Sequence, residues 1–175
     1  MITTNESLLR VKCEPVKPNE VYGLISLLEE ELKQSAINKR PGIGIAAPQI
    51  GIHKQAAIIR IDGKLNVNLI NCKIENSYDE FLFMNEGCLS FPDLKVNTKR
   101  YNEIYVVGNL VYPHSFIATG LLSVAIQHEL DHLNGIIMTD RAIKPIIKQP
   151  SNELCLCGSK IKFKKCCNLK GINVK

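Results

Sequence analysis

The chain has 175 residues, 45% of them hydrophobic, enough for one compact domain with a buried core and a small appendage. Its longest apolar stretches, such as residues 43–47 and 56–59, are far too short to span a bilayer, and Met1-Ile2-Thr3-Thr4-Asn5-Glu6 lacks the basic and apolar regions of a signal peptide. The net charge of +5 is unevenly held: residues 144–175 carry eight lysines against one acid, Glu153, which makes that segment +7 and residues 1–143 −2.

A cytoplasmic protein without a membrane partner is the expectation. On charge alone the basic segment reads as a solvated lysine-rich face, although such asymmetry also suits an anionic partner.

In chain order, Pro18-Asn19-Glu20 starts a helix whose apolar positions Val21, Leu24, Ile25, Leu28 and Leu32 share one face at the helical period. Lys39-Arg40-Pro41-Gly42 breaks it and opens a glycine-rich loop. Residues 55–112 have a strand-like texture, clearest at Ile58–Ile61, Leu65–Ile70 and Ile104–Leu110, with a hairpin turn expected at Asp62-Gly63. Thr119 then caps a second, largely buried helix carrying Leu121, Leu122, Ala125, Ile126, Leu130 and Leu133, and Gly135 stops it. Pro145 and Pro150-Ser151-Asn152 mark a linker. The fold class is α+β.

The second helix carries Gln127-His128-Glu129-Leu130-Asp131-His132, an H-E-x-x-H pattern. Residues four apart share a helix face, so His128 and His132 can reach one metal ion, and Glu129 beside them can take a proton from water. Two histidines leave such an ion short of a ligand. After the helix no histidine follows, and Asp140 is the sole acid before Glu153. The search therefore turns upstream, to Glu86-Gly87-Cys88-Leu89-Ser90. A thiolate is a strong soft ligand, and Gly87 lets the backbone approach closely. Taken alone, Cys88 would read as a small buried hydrophobe.

With Gly42-Ile43-Gly44-Ile45-Ala46-Ala47-Pro48-Gln49, these segments resemble, in order, the three signature motifs of the peptide deformylase family. The resemblance covers about residues 5–143. It implies antiparallel sheets around a central helix that carries H-E-x-x-H, and removal of the N-formyl group from formylmethionyl nascent peptides. It also implies roles. Cys88, His128 and His132 match the ligands of one catalytic divalent metal ion, usually Fe(II) and replaceable by nickel, cobalt or zinc. Glu129 matches the general acid/base, and Gln49 and the Leu89 N–H match donors to the scissile carbonyl. Ile43, Gly44, Glu86 and Gly87 would align the substrate backbone. Leu121, Val124 and Ala125 would form the methionine pocket, although core packing explains those three equally well. Arg100 matches a family arginine placed to pair with Glu86, and Lys95 stands where relatives often carry arginine.

Bacterial relatives usually follow this helix with another long one, which the prolines here cut short. In its place, Cys155, Cys157, Cys166 and Cys167, with Gly158-Ser159 between them, resemble the SEC-C metal-binding motif. That resemblance implies a zinc knuckle of four thiolates, with disulfides or unrelated cysteines as the alternative, and contact with a ribosome or chaperone. Cys13 and Cys72 read as structural. The expected organisation is a catalytic domain over 1–143, a linker over 144–152 and a zinc-binding tail over 153–175, acting as a monomer. Two other readings remain: a catalytically dead deformylase fold serving as an adaptor, and a zincin-type endopeptidase.

Overall fold

In the computed structural model, which describes residues 1–108, 110, 114–143, 152–154 and 161–165, two three-stranded antiparallel sheets flank one buried helix. The elements before the first sheet are a short helix α1 (Glu6–Leu9) and a long one, α2 (Val21–Ile37), which follows a 3₁₀ turn over Pro18–Glu20. Helix α2 forms where its period predicts: Leu24, Leu28 and Leu32 are buried. The Lys17 N–H donates to Glu20 Oε2 at 2.7 Å and satisfies one of the donors a helix start leaves open.

The first sheet contains β1 (Gly44–Ala46), β2 (Ala56–Ile61) and β3 (Leu65–Ile70) in that order. Asp62 and Gly63 both adopt positive φ (51° and 64°) in the three-residue turn that joins the paired residues Ile61 and Leu65. Successive residues of β2 serve two cores. Ala56 and Ile58 pack with Leu24, Leu28 and Leu32 of α2, whereas Ala57 and Ile59 pack against Ile126, Leu130 and Leu133 on the other face. A strand covered on both faces is apolar throughout, which is why residues 56–59 read as an unbroken run.

The second sheet is built from β4 (Lys73–Cys88), β5 (Phe91–Val107) and β6 (Ser115–Thr119). The expected strand at Ile104–Leu110 is the end of a much longer one. Helix α3 (Gly120–Leu133) lies between the sheets, buried from Ser123 to Leu133. Thr119 is its N-cap by position, but the hydroxyl makes no capping bond. Gly135 ends it with φ of 73°, and a side chain there would collide with the Arg10 carbonyl. Two polar residues of α3 are tied to β5: Gln127 exchanges hydrogen bonds with the Tyr101 backbone at 3.0 and 2.8 Å, and Ser123 donates to the same carbonyl at 2.7 Å.

The chain leaves the helix through a 3₁₀ turn (Met138–Asp140) and pairs Ala142 with Thr98 of β5. Nearly all of the expected linker and all four tail cysteines (Cys155, Cys157, Cys166, Cys167) lie outside the described residues. In the tail, Leu154 bridges to Lys162, and Phe163–Lys165 form a 3₁₀ turn. Among the described residues no helix is long and apolar enough to cross a membrane.

Candidate active site

Strand β1 is the edge of one sheet and β4 the edge of the other. Between these edges and the first turns of α3 lies a cavity of about 420 Å³. From the β1 side it is lined by Ile43, Gly44 and Gln49, and from the β4 side by Glu86, Gly87, Cys88 and Leu89. Helix α3 contributes Leu121, Val124, Ala125, His128 and Glu129. His132, 1% exposed, lies behind this lining, where its Nε2 is 3.3 Å from Cys88 Sγ. The sequence-predicted residues of the catalytic domain thus meet at one place.

Helical spacing puts His128 and His132 on the same face, with ring centroids 4.9 Å apart. Cys88, at the end of β4, meets them there: one ligand atom from each of the three residues lies within 4.8 Å of the others. His128 Nδ1 is 2.7 Å from Glu86 Oε1, an arrangement that leaves Nε2 available to a metal ion. Arg100 donates to both Glu86 oxygens at 2.9 and 2.6 Å, and Thr98 donates to Oε2 at 2.5 Å. The expected Arg100–Glu86 pair is therefore present. Burial works to raise the Glu86 pKa, but its bonds to His128 and Arg100 prevail and hold it at about 2.

Burial alone would favour a neutral His128, yet its contacts with Cys88 and Glu86 hold its pKa well above the usual value. His132 is pushed the other way by burial and by its neighbour His128. The pocket thus calls for positive charge beside Cys88 and Glu86. A divalent cation meets that need with both rings neutral, and one thiolate with two imidazoles is a donor set that suits several such ions. Among the described residues, the two buried side-chain polar atoms without a protein partner are Glu129 Oε2 and His132 Nδ1. A metal centre fits these residues.

Gln49 is fixed by its own turn: the Ala46 N–H donates to its Oε1 at 2.8 Å. The amide nitrogen is thereby aimed at Cys88 Sγ (3.4 Å) and Ser90 Oγ (3.2 Å). Gly44 leaves the room that Glu129 occupies, since a Cβ there would stand 2.6 Å from Glu129 Oε1. Burial, reinforced by the nearby Glu86 charge, raises the Glu129 pKa to about 7 despite the opposing influence of His128.

The model of the polypeptide deformylase family matches residues 1–148. The chain belongs to the peptide deformylase family. A peptide deformylase of Heliobacterium modesticaldum is 37% identical over 144 residues, which cover 81% of this chain and 91% of that protein. One of Microchaete diplosiphon is 38% identical over 129 residues, or 67% and 69% of the two chains. Among solved structures, the Synechococcus elongatus peptide deformylase in complex with actinonin covers 99% of this chain and 86% of its own, with a TM-score of 0.72 and 28% identity. The Thermotoga maritima peptide deformylase covers 82% and 97%, with a TM-score of 0.69 and 30% identity. The SEC-C motif model matches residues 152–168, the segment that holds the four tail cysteines.

Several features in and around this deformylase cavity carry no signal in the sequence. Ser90 shares the Gln49 amide, yet a serine after Cys88-Leu89 carries no chemical signal of its own. Asp131 and Arg141 extend the Glu86–Arg100 pair. Arg100 donates to Asp131 Oδ2 at 2.6 Å, and Arg141 donates to both Asp131 oxygens at 3.1 and 2.7 Å. Their pairing depends on the β5–α3 packing rather than on any spacing along the chain. Cys13 and Cys72 have thiols raised by burial, Cys13 to about 11, as expected of structural cysteines.

Proposed function

We propose that the deformylase activity of this family is carried in this chain by Cys88, His128 and His132 as holders of a divalent metal ion, Glu129 as proton carrier and Gln49 as carbonyl donor. The observation that supports this most is the meeting of the three ligand atoms beside a buried carboxylate whose Oε2 has no protein partner. Held by those three residues, the ion supplies Lewis acidity and lowers the pKa of water.

Glu129 accepts a proton from the attacking water. Its pKa of about 7 suits it to hold that proton briefly and return it to the departing amine. The C–N bond of the formamide breaks, and formate leaves together with the peptide, whose N-terminal methionine now carries a free amino group. Attack places negative charge on the formyl oxygen, and the Gln49 amide and the Leu89 N–H are the donors that stabilise it. Glu86 fixes the His128 ring. The open edges of β1 and β4 face each other, so a peptide laid between Ile43-Gly44 and Glu86-Gly87 can pair with both as an added strand. Its methionine enters among Leu121, Val124 and Ala125.

Fe(II) is the ion we assign to the native enzyme. We assign a structural zinc to Cys155, Cys157, Cys166 and Cys167, a reading the SEC-C match supports. The boundaries at 143 and 152 follow from that division, and the basic tail is assigned to a ribosomal partner. Metal analysis together with formate release from a formylmethionyl peptide tests the catalytic centre. Protein that holds the ion and releases no formate would exclude it.

A further inference from the structure

The lining of the cavity is divided by charge. Its buried part is apolar around Val124 and Ala125, and its two carboxylates are Glu129 and Glu86, the latter bound to Arg100. Its exposed part carries three cations, Lys39, Arg40 and Lys95. None of the three has an ion-pair partner among the described residues. They stand on both walls. Lys39 and Arg40 lie just before Ile43-Gly44 at the β1 edge. Lys95 is the β5 residue in register with Gly87, and its Nζ occupies the space that a Gly87 side chain would need. An ammonium is thus held over the strand edge that would pair with the substrate backbone.

We propose that this cationic rim selects formylmethionyl peptides with an acidic side chain in the one or two positions after methionine. The inference rests on the deformylase reading and specifies its substrate class. A peptide stretched between the two strand edges buries its methionine and sends the following side chains toward the rim. There a carboxylate meets unpaired positive charge, and a lysine meets repulsion. The N-terminal formyl group is neutral, so the charge of the following residues decides the electrostatic sign of the encounter. Because the rim is exposed, the preference is modest and salt-dependent: at contact distances it amounts to about tenfold at low salt, and it fades as the screening length falls to roughly 3 Å at 1 M.

The test uses the metal-loaded full chain and three C-terminally amidated formyl tripeptides with methionine first, serine last, and alanine, glutamate or lysine between. The expected kcat/KM order is glutamate, alanine, lysine, with the glutamate-to-lysine ratio shrinking toward one as salt rises. Lys95→Gln should narrow that ratio and Lys95→Glu should invert it. A wild-type ratio of one or below at low salt overturns the proposal, as does a ratio that neither salt nor Lys95→Glu moves. The alanine peptide keeps the two readings apart. Formate from it upholds the deformylase reading whichever way the ratio falls. No formate from any of the three removes that reading and the selectivity with it.

Discussion

At the scale of single residues, the centre separates groups that hold from groups that react. With Cys88 proposed as a direct ligand, Cys88→Ala should lose metal and turnover together, measured by elemental analysis and formate release. Glu129 is proposed to carry protons rather than hold the ion, so Glu129→Ala should keep the ion while turnover collapses. Loss of metal from that variant would make Glu129 a ligand and undo the scheme. As the proposed carbonyl donor, Gln49 would act only as charge builds on the formyl oxygen, and Gln49→Leu should lower kcat by about a hundredfold to a thousandfold with a much smaller change in KM. Glu86 works through His128, and Glu86→Gln should weaken metal retention by about 10-fold to 100-fold, as expected when the partner that orients a ligand is lost. Competition with a chelator would measure it.

At the scale of elements, the site depends on how β4, β5 and α3 are joined. Arg100, 2% exposed, bridges Glu86 on β4 and Asp131 on α3, and Arg141 closes the chain of charges from beyond the helix. Removing Arg100 leaves two carboxylates without their buried partner, so Arg100→Ala should cost about 3–5 kcal/mol in urea unfolding. The pH dependence follows from Glu86, whose pKa drops from 4.5 to about 2 on folding. Its contribution is complete above the unfolded value and is lost as pH falls through the folded one, so wild-type stability should decline between about pH 4.5 and 2. Arg100→Ala should flatten that decline. The Arg100–Glu86 pair was expected from the family resemblance, but its extension through Asp131 to Arg141 is the kind of cross-element pairing a sequence hides. Helix α2, the β2–β3 hairpin and α3 were legible because each repeats an apolar period or carries a turn signal. The long β4–β5 hairpin was legible only as a strand-like texture: much of its surface faces water, Asp79 and Asn85 adopt positive φ, and the register shifts between Ile74 and Asn76, Phe83 and Glu86, and Gly87 and Cys88. The cluster of Cys88, His128 and His132 was legible as H-E-x-x-H and through the motif around Cys88, whereas Lys39 and Arg40 read as an ordinary helix break until the cavity placed them on its rim.

At the scale of the whole molecule, the catalytic fold finishes its described contacts before the tail begins. Ala142 bridges to Thr98 and Ile143 donates to Asn97, while the SEC-C match occupies 152–168. The +7 of residues 144–175 follows that contact in the sequence. Ribosomal RNA is a dense polyanion, and lysines that neutralise its phosphates release counterions, so their binding weakens steeply with salt. An enzyme tethered in this way gains local concentration at emerging chains with its cleft unchanged. Truncation of residues 150–175 should accordingly spare turnover of short formylmethionyl peptides and reduce co-sedimentation with ribosomes. The difference between full-length and truncated protein should be largest at low salt and vanish as salt rises. Equal sedimentation of the two forms at every salt concentration would remove the tether. Loss of peptide turnover on truncation would instead make the tail a brace for the sheet and helix that hold the metal site.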